Sequence, residues 1–229
     1  MPLPQTEQDA AIERYTRRFK EYGYDPKTLG WDKGKQQIRF TILTSQYDFR
    51  GKKVLDIGCG FGDLNLVLEH RAGWEYKYQG VDLVPVLLEQ AKELYEAENI
   101  GFSCTDILAE DFMGDYDYAV ASGLFNFKFK DASNYDFIEA VMHKALSICR
   151  DGLAFDFLSD KVAYQRSETF HSSPERVLGM AYKHSRNVVL RNDYMPFEFA
   201  VFINKDSSFK TDDTIFNHYR RRCLGQSAE

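Results

Sequence analysis

The stretch VLDIGCGFGD, residues 54–63, decides the fold of this chain. It begins as a largely apolar run typical of a buried strand, and a helical pattern starts at residue 63. Between strand and helix stand three alternate glycines, Gly58, Gly60 and Gly62, which let the backbone turn tightly and approach a ligand closely. A strand, a glycine-rich turn and a helix in this order indicate an open α/β sheet with a ligand site at the carboxyl end of the strand.

Short apolar runs and amphipathic helices alternate after this loop. Such alternation predicts an α/β fold of the Rossmann-like, doubly wound kind, with a mostly parallel sheet and helices on both faces. The last two runs are separated by only two residues, a gap that can join antiparallel strands alone, so the sheet is predicted to end in an antiparallel hairpin. The predicted strands are 53–57, 76–82, 101–105, 116–121, 152–157, 187–194 and 197–203, and the predicted helices are 8–22, 33–46, 63–70, 85–97, 134–149 and 174–184.

Three segments are expected along the 229 residues. An N-terminal helical extension or lid is predicted for residues 1–50. The ligand-binding α/β domain is predicted for residues 51–204, and a C-terminal tail for residues 205–229. Within the domain, Ser133-x-x-Asp136 is an approximate capping box, which predicts the start of a helix there.

Composition excludes several classes of function. Lys and Arg number 29 against 35 Asp and Glu, a net charge of −6, so a broadly basic surface for nucleic acid is not expected. No apolar run approaches the roughly 18 residues that span a bilayer, so no membrane partner is expected. The N-terminus lacks the basic start and apolar core of a signal peptide, which predicts a cytoplasmic protein.

The four cysteines, Cys59, Cys104, Cys149 and Cys223, are widely dispersed. Without a C-x-x-C pair, a zinc knuckle, a thioredoxin-type site and an iron–sulfur motif all lose support, and no metal site is expected. Their spacing predicts buried, reduced thiols.

Charge around the glycine loop distinguishes two kinds of ligand. Asp56 and Asp63 flank the loop, and no Lys or Arg occurs from Asp56 to Glu69. Asp63 in the first helical turn would occupy the place of a bound phosphate, and it stands where the dinucleotide pattern G-x-G-x-x-G requires glycine. The carboxylates therefore favour a cationic ligand over a pyrophosphate.

Asp82, at the end of the second predicted strand, narrows the ligand further. An acidic side chain at the end of the neighbouring strand can accept both hydroxyl protons of a ribose. A loop suited to a cation beside a ribose clamp specifies a positively charged nucleoside, of which S-adenosylmethionine is the common one.

The motifs VLDIGCGFGDL, GVDL, CTDIL and YDYAVASGLFNF occur in the order typical of class I S-adenosylmethionine-dependent methyltransferases, and residues 50–204 resemble that superfamily. LGW at 29–31 and RNDYMPFEF at 191–199 are similar to uncharacterised bacterial members. The resemblance implies S-adenosyl-L-methionine as the cofactor and in-line methyl transfer to an oxygen or nitrogen atom of a small-molecule acceptor.

The resemblance also implies cofactor contacts. The glycine loop would cradle the amino-acid part of the cofactor. Asp82 would bind the ribose hydroxyls, and Asp106 would accept from the adenine amino group. The end of the fourth strand would lie near the methyl group. Arg39 could meet the cofactor carboxylate by charge-assisted hydrogen bonds. The expected contacts are Trp31, Arg39, Asp56, Gly58, Gly60, Gly62, Asp82, Leu83, Asp106, Ile107, Ala121, Ser122 and Gly123.

The chemistry is expected beyond the fourth and fifth strands. SGLFN at 122–126 stands where related enzymes that methylate amino groups of DNA and glutamine carry Asn/Asp-Pro-Pro-Tyr/Phe, so those substrates are disfavoured. His171 is the candidate base, with Asp156 at the end of the fifth strand, although a surface histidine before a helix cap is the alternative for His171. The expected substrate contacts are Tyr24, Asn126, Arg191 and Tyr194.

Three other functions stay open: a nucleoside-binding module without catalysis, an RNA methyltransferase and, least favoured, an NAD-dependent oxidoreductase. The basic residues Arg14, Arg17 and Arg18 are balanced by acids of the same helix, which favours a solvated face over RNA binding. A monomer or a homodimer is expected.

Overall fold

Seven strands and six α-helices alternate in the computed structural model, which describes residues 2–30, 35–206, 215–217 and 219–220. The strands are β1 (Lys52–Ile57), β2 (Tyr76–Asp82), β3 (Ile100–Cys104), β4 (Tyr116–Ala121), β5 (Cys149–Leu158), β6 (Asn187–Arg191) and β7 (Glu198–Asn204). The helices are α1 (Gln5–Tyr22), α2 (Gln36–Leu43), α3 (Leu64–Ala72), α4 (Pro85–Leu94), α5 (Asn134–Ile148) and α6 (Pro174–Tyr182), and a 3-10 turn covers Leu124–Asn126.

The strands form one sheet in the order β3-β2-β1-β4-β5-β7-β6. The first five strands pair in parallel, whereas β7 is antiparallel to both β5 and β6. The prediction of a mostly parallel, Rossmann-like sheet with an antiparallel hairpin at its end is thus confirmed. Because the strand order reverses between β1 and β4, a crevice forms at the carboxyl ends of these two strands.

Both faces of the sheet are covered by helices. Along β1, Val54 points to the cluster that contains α2 and α3, whereas Leu55 and Ile57 point to the cluster that contains α5 and α6. Successive side chains of a strand face opposite sides, so a strand buried on both faces needs apolar residues at nearly every position. This requirement explains the continuous apolar runs of the central strands.

Helix boundaries follow local signals. The Ser133 hydroxyl accepts a hydrogen bond from the backbone amide of Asp136, as the capping box predicts. The second helix is shorter than predicted and ends at Leu43, and residues 33–34 of the predicted range lie outside the described chain. β6 ends at Arg191 rather than at 194 because the chain turns ahead of Pro196, which cannot donate to a ladder.

The cysteines depart in part from their predicted burial. Cys59 and Cys149 are buried free thiols, but Cys104 is exposed because it ends β3, an edge strand of the sheet. Cys223 and most of the predicted tail 205–229 lie outside the described residues. In the part of the chain that the structure describes, no helix combines the length and apolar character that crossing a bilayer requires.

Candidate functional site

A cavity opens at the carboxyl ends of the first four strands, where the strand order reverses. Its empty volume is about 990 Å³, part of it open to solvent. The α1 helix and the segment before it form the wall opposite the strands. The predicted cofactor contacts that line the cavity are Gly58, Asp82, Leu83, Asp106, Ile107, Ser122 and Gly123.

The glycine loop brings its backbone to the edge of this cavity. Gly58, Gly60 and Gly62 all have positive φ angles, a region that residues with a Cβ rarely adopt. A Cβ on Gly58 would stand 3.0 Å from Leu124 Cδ1, so a side chain would also push away the turn that follows β4. The first glycine lines the cavity, whereas Gly60 is covered by Leu29 and contributes to the shape of the turn.

Asp82 ends β2 with its carboxylate at the cavity wall. Its Oδ2 accepts from the backbone N of Gly60 and its Oδ1 from that of Val84, both at 2.9 Å. A carboxylate has about four lone-pair directions, so acceptor capacity remains for two ligand hydroxyls. Burial raises the pKa of Asp82, and these backbone donors oppose the rise.

Asp106 connects the cavity to the N-terminal segment. Its Oδ1 accepts from the backbone N of Leu108 at 2.9 Å, while its Oδ2 accepts from the backbone N of Leu3 at 3.2 Å and from Gln8 Nε2 at 3.4 Å. The Leu3 side chain lines the same cavity. The carboxylate that the resemblance assigns to an adenine amino group is therefore also a contact of the chain's own N-terminal segment.

The end of β4 is held by Asp156 of β5. Ser122 Oγ donates to Asp156 Oδ2 at 2.7 Å, and the backbone N of Gly123 donates to Asp156 Oδ1 at 2.7 Å. Asp156 is 1% exposed and lies behind Ser122, which lines the cavity. Ala121 is fully buried beneath this turn, so it supports the wall without lining it.

Two further acids lie behind the glycine loop. Asp56 accepts from the Tyr78 hydroxyl at 2.7 Å, and burial raises the pKa of Asp56 to about 7, helped by the carboxylates of Asp82 and Asp63 and opposed by Tyr78. Asp63 accepts from the hydroxyls of Tyr24 and Tyr95, each at 2.9 Å. Since carboxylates converge on the loop, the potential there favours a cationic ligand.

The α1 helix is fastened over the cavity by a buried acid. Glu7 is 2% exposed, and its Oε1 accepts from the backbone amides of Lys130 at 2.8 Å and Asp131 at 2.7 Å. One and two turns further along the helix, Ala11 and Tyr15 line the cavity. The helix therefore closes the side of the site that faces away from the sheet.

The structure does not bring Arg39 to the cavity. Its Nε donates to Glu198 Oε2 at 2.6 Å and its Nη2 pairs with Glu198 Oε1, and both side chains are almost fully buried. Arg39 therefore binds the carboxylate of Glu198 on β7, and not a cofactor carboxylate, because α2 packs against the sheet. Trp31 lies outside the described residues.

The predicted base, His171, also lies away from the cavity lining. Its Nδ1 is 2.8 Å from the backbone O of Ser159, and its Nε2 is 3.1 Å from Thr169 Oγ1. Both ring nitrogens therefore tie the segment after β5 to itself, and His171, which is half-buried just before the cap of α6, has a structural role there.

The predicted substrate contacts occupy four different places, and none of them is in the cavity lining described above. The Tyr24 ring packs on Phe61, and Asn126 Oδ1 accepts from the backbone N of Leu158. Arg191 pairs with Asp193 at the surface. Tyr194 has a buried hydroxyl with no hydrogen-bond partner among the described residues.

Sequence reasoning missed several lining residues. Phe127, Phe129 and Phe137 form an apolar wall, and Leu3 joins it from the N-terminus. The alternate phenylalanines of NFKF, at 126–129, were an available signal for one shared face. Leu3, an apolar residue just before the polar start of the first helix, was another. The part of the chain that the structure describes holds no group of three or more His, Cys, Asp or Glu that could bind a metal.

Comparison with known proteins agrees with this geometry. Residues 54–152 match the family model described as "Methyltransferase domain". A curated relative, malonyl-[acyl-carrier protein] O-methyltransferase from Acetivibrio thermocellus, is 30% identical over 73 residues. That match covers 31% of this chain and 25% of the relative, so it spans about a quarter of the relative's length.

Solved structures share the fold at low sequence identity. Magnesium protoporphyrin IX methyltransferase from Synechocystis, with bound S-adenosylhomocysteine, gives a TM-score of 0.62 at 13% identity and covers 86% of this chain and 95% of that one. An N-methyltransferase from Bradyrhizobium japonicum, in complex with S-adenosylhomocysteine, gives 0.62 at 16% identity and covers 84% and 97%. The shared fold extends over nearly the whole length of these structures.

Proposed function

We propose that this chain, which carries a class I S-adenosylmethionine-dependent methyltransferase domain, transfers a methyl group to an oxygen or nitrogen atom of a small-molecule acceptor. One observation carries the proposal. The cavity at the reversal of strand order is lined by two carboxylates, Asp82 and Asp106, and by no Lys or Arg among the described lining residues. Such a site suits a cationic nucleoside and disfavours a phosphorylated one.

The residues present fit the cofactor. When bound, S-adenosylmethionine would supply a methyl group on a positively charged sulfur, and a nucleophile can attack the methyl carbon while the sulfur leaves as a neutral thioether. Asp82 would accept hydrogen bonds from the ribose hydroxyls and Asp106 from the adenine amino group, with Leu83 and Ile107 beside the base. Gly58 would leave room for the amino-acid part at the end of β1.

The protein's contribution to such a displacement is positioning and exclusion of water. The α1 helix supplies Ala11 and Tyr15 to the outer wall, and Glu7 fastens the helix to the turn at 130–131. In this proposal residues 1–50 act as a lid on a cofactor domain that spans residues 51–204.

A small-molecule acceptor is supported by the enclosure of the cavity. A helix covers it on the side away from the sheet, whereas a polymer substrate needs an open groove that continues beyond the reacting atom. The names of similar proteins include an O-methyltransferase and an N-methyltransferase, which supports oxygen or nitrogen as the acceptor atom.

Calorimetry with S-adenosylhomocysteine tests the proposal directly. We expect saturable binding to the purified protein and no comparable binding of NAD. Tight NAD binding without binding of S-adenosylhomocysteine would overturn the proposal, and strongly salt-dependent RNA binding would favour an RNA substrate. Turnover of methyl-labelled cofactor with a metabolite extract separates an enzyme from a binding module without catalysis.

A further inference from the structure

The hydroxyl of Ser122 has a fixed direction. Because Oγ donates its hydrogen to Asp156 Oδ2 at 2.7 Å, its lone pairs point away from Asp156. Ser122 lines the cavity at the end of β4, whereas Asp156 is 1% exposed behind it. The cavity thus contains a hydrogen-bond acceptor whose own proton is directed to a buried carboxylate.

We propose that Ser122 and Asp156 form a proton relay that removes a proton from the acceptor during methyl transfer, and that the acceptor carries a hydroxyl group or a neutral amine nitrogen with an N–H bond. This inference rests on the proposed function. Ser122 is the catalytic residue because it touches the acceptor. Asp156 acts through Ser122 and is a positioning residue that also stores the proton.

The relay balances the charges of the reaction. A lone pair of the acceptor forms the new bond to the methyl carbon, and the carbon–sulfur bond breaks with its electron pair left on sulfur. The acceptor's proton moves to Ser122 Oγ as the proton of Ser122 moves to Asp156 Oδ2. The cation and the carboxylate are both neutralised, and Asp156 later returns the proton to solvent.

The surroundings of Asp156 are suited to holding a proton. Asp156 interacts electrostatically with the Arg39 guanidinium of α2, which pairs with Glu198 of β7, and with Tyr194 and Asp56. Burial raises the pKa of Asp156, and Arg39 together with the donors Ser122 and Gly123 limits the rise. A proton acceptor works best when its pKa lies near the operating pH.

A purely structural role is the competing explanation, because Asp156 also holds the turn through the Gly123 amide at 2.7 Å. The two roles differ at Ser122. Replacing Ser122 by alanine removes the relay but leaves the Gly123 contact, so the turn retains its anchor. Ser122→Thr keeps the hydroxyl and serves as the conservative variant.

Carboxyl ¹³C NMR of the full chain, labelled at aspartate, tests the Ser122–Asp156 hydrogen bond on which the relay depends, without any acceptor. The Asp156 resonance is assigned by its loss in Asp156→Asn. We expect Asp156 to titrate above the range of an ordinary aspartate, with a higher midpoint in Ser122→Ala because a donor to the carboxylate is lost, and a midpoint near wild type in Ser122→Thr. An Asp156 titration that Ser122→Ala does not move overturns the proposal.

Turnover provides the second test, with tritiated S-adenosylmethionine and two panels of probes. One panel contains phenols and primary amines, and the other contains thioethers and tertiary amines, which have no proton to lose. We expect methylation in the first panel, a loss of about 100-fold in kcat with an altered pH profile in Ser122→Ala, and recovery in Ser122→Thr. Ser147→Ala, an exposed serine of α5, is the matched control.

The outcomes distinguish this proposal from the function on which it rests. Wild-type methylation confined to the proton-free panel overturns the relay, as does a Ser122→Ala protein with the wild-type rate and pH profile. Failure of the wild-type protein to bind S-adenosylhomocysteine overturns the proposed function instead. If neither panel is methylated by a protein that binds S-adenosylhomocysteine, the relay is likewise overturned.

Discussion

At the scale of single residues, acids at the carboxyl edge of the sheet are held by backbone amides rather than by cations. Asp82 accepts from Gly60 and Val84, and Asp106 from Leu108 and Leu3. Amide donors satisfy part of a carboxylate's hydrogen-bonding capacity without cancelling its charge. These side chains therefore keep acceptor capacity for a ligand.

Asp82→Asn should weaken the binding of S-adenosylhomocysteine. The amide keeps one acceptor oxygen and places a donor where the carboxylate accepts, so at least one charge-assisted hydrogen bond to the ribose is lost. We expect the dissociation constant to rise about 10- to 150-fold, corresponding to roughly 1.5–3 kcal/mol. Calorimetry measures the change, with the exposed Asp111→Asn as control. An unchanged affinity would remove Asp82 from the site.

At the scale of elements, two helices are held in place by buried, ionisable side chains. Glu7 fastens α1 to the turn at 130–131. Arg39 fastens α2 to β7 through Glu198. In both cases the contact contributes to stability, because truncating one partner leaves a buried polar group unpaired.

Glu7→Ala should loosen α1. Two backbone amides lose a charged acceptor, so we expect faster amide hydrogen exchange across residues 5–22 and a free energy of unfolding lower by about 2 kcal/mol. Faster dissociation of S-adenosylhomocysteine should follow, since α1 forms a cavity wall. Glu13→Ala, an exposed acid of the same helix, is the control. Equal exchange in both variants would show that Glu7 does not fasten the helix.

Arg39→Leu should destabilise the protein strongly because the Glu198 carboxylate would remain buried without its cation. Urea denaturation should show a loss of about 3–5 kcal/mol in the free energy of unfolding. The double variant Arg39→Leu/Glu198→Leu should recover most of this loss, since neither charge is then buried. Arg50→Leu, at an exposed position, is the matched control. A double variant as unstable as the single one would contradict this explanation.

At the scale of the whole molecule, part of the acidic excess behind the net charge of −6 is concentrated at the glycine loop. The carboxylates of Asp56, Asp63 and Asp82 converge behind and beside the glycine loop. Burial is the main cause that raises the pKa of each of them. Concentrated negative charge destabilises the folded chain until a cationic ligand arrives. The same arrangement therefore couples stability to pH and to ligand binding.

Asp56→Asn should flatten the dependence of stability on pH. Folding raises the pKa of Asp56 from 3.8 to about 7, so the folded state holds a proton that the unfolded state has lost. Its stabilising contribution is complete below the unfolded pKa and declines as the pH rises through about 7. Denaturation at several pH values between about 4 and 8 should show this decline in wild type and a smaller one in Asp56→Asn.

Asp111→Asn, an exposed aspartate, should retain the wild-type pH dependence of stability. The new asparagine in Asp56→Asn can still accept the hydrogen bond from the Tyr78 hydroxyl. The comparison of Asp56→Asn with wild type therefore isolates the charge of Asp56. An Asp56→Asn protein with the wild-type slope would show that Asp56 does not carry the effect.

The sequence by itself determined the features whose causes are local. The glycine loop, the alternation of strands and helices, the cap at Ser133 and the antiparallel hairpin all depend on residues a few positions apart, so pattern and spacing predict them. The sequence also predicted that the acids at strand ends lie at one site, because parallel strands bring their carboxyl ends to one edge of the sheet.

Only the tertiary structure decided which distant side chains meet. Arg39 lies 159 residues from Glu198, and Leu3 lies 103 residues from Asp106. A buried guanidinium pairs with the carboxylate that packing places beside it. No local sequence pattern identifies that partner. The direction of the Ser122 hydroxyl is of the same kind, because it depends on how β4 and β5 align across the sheet.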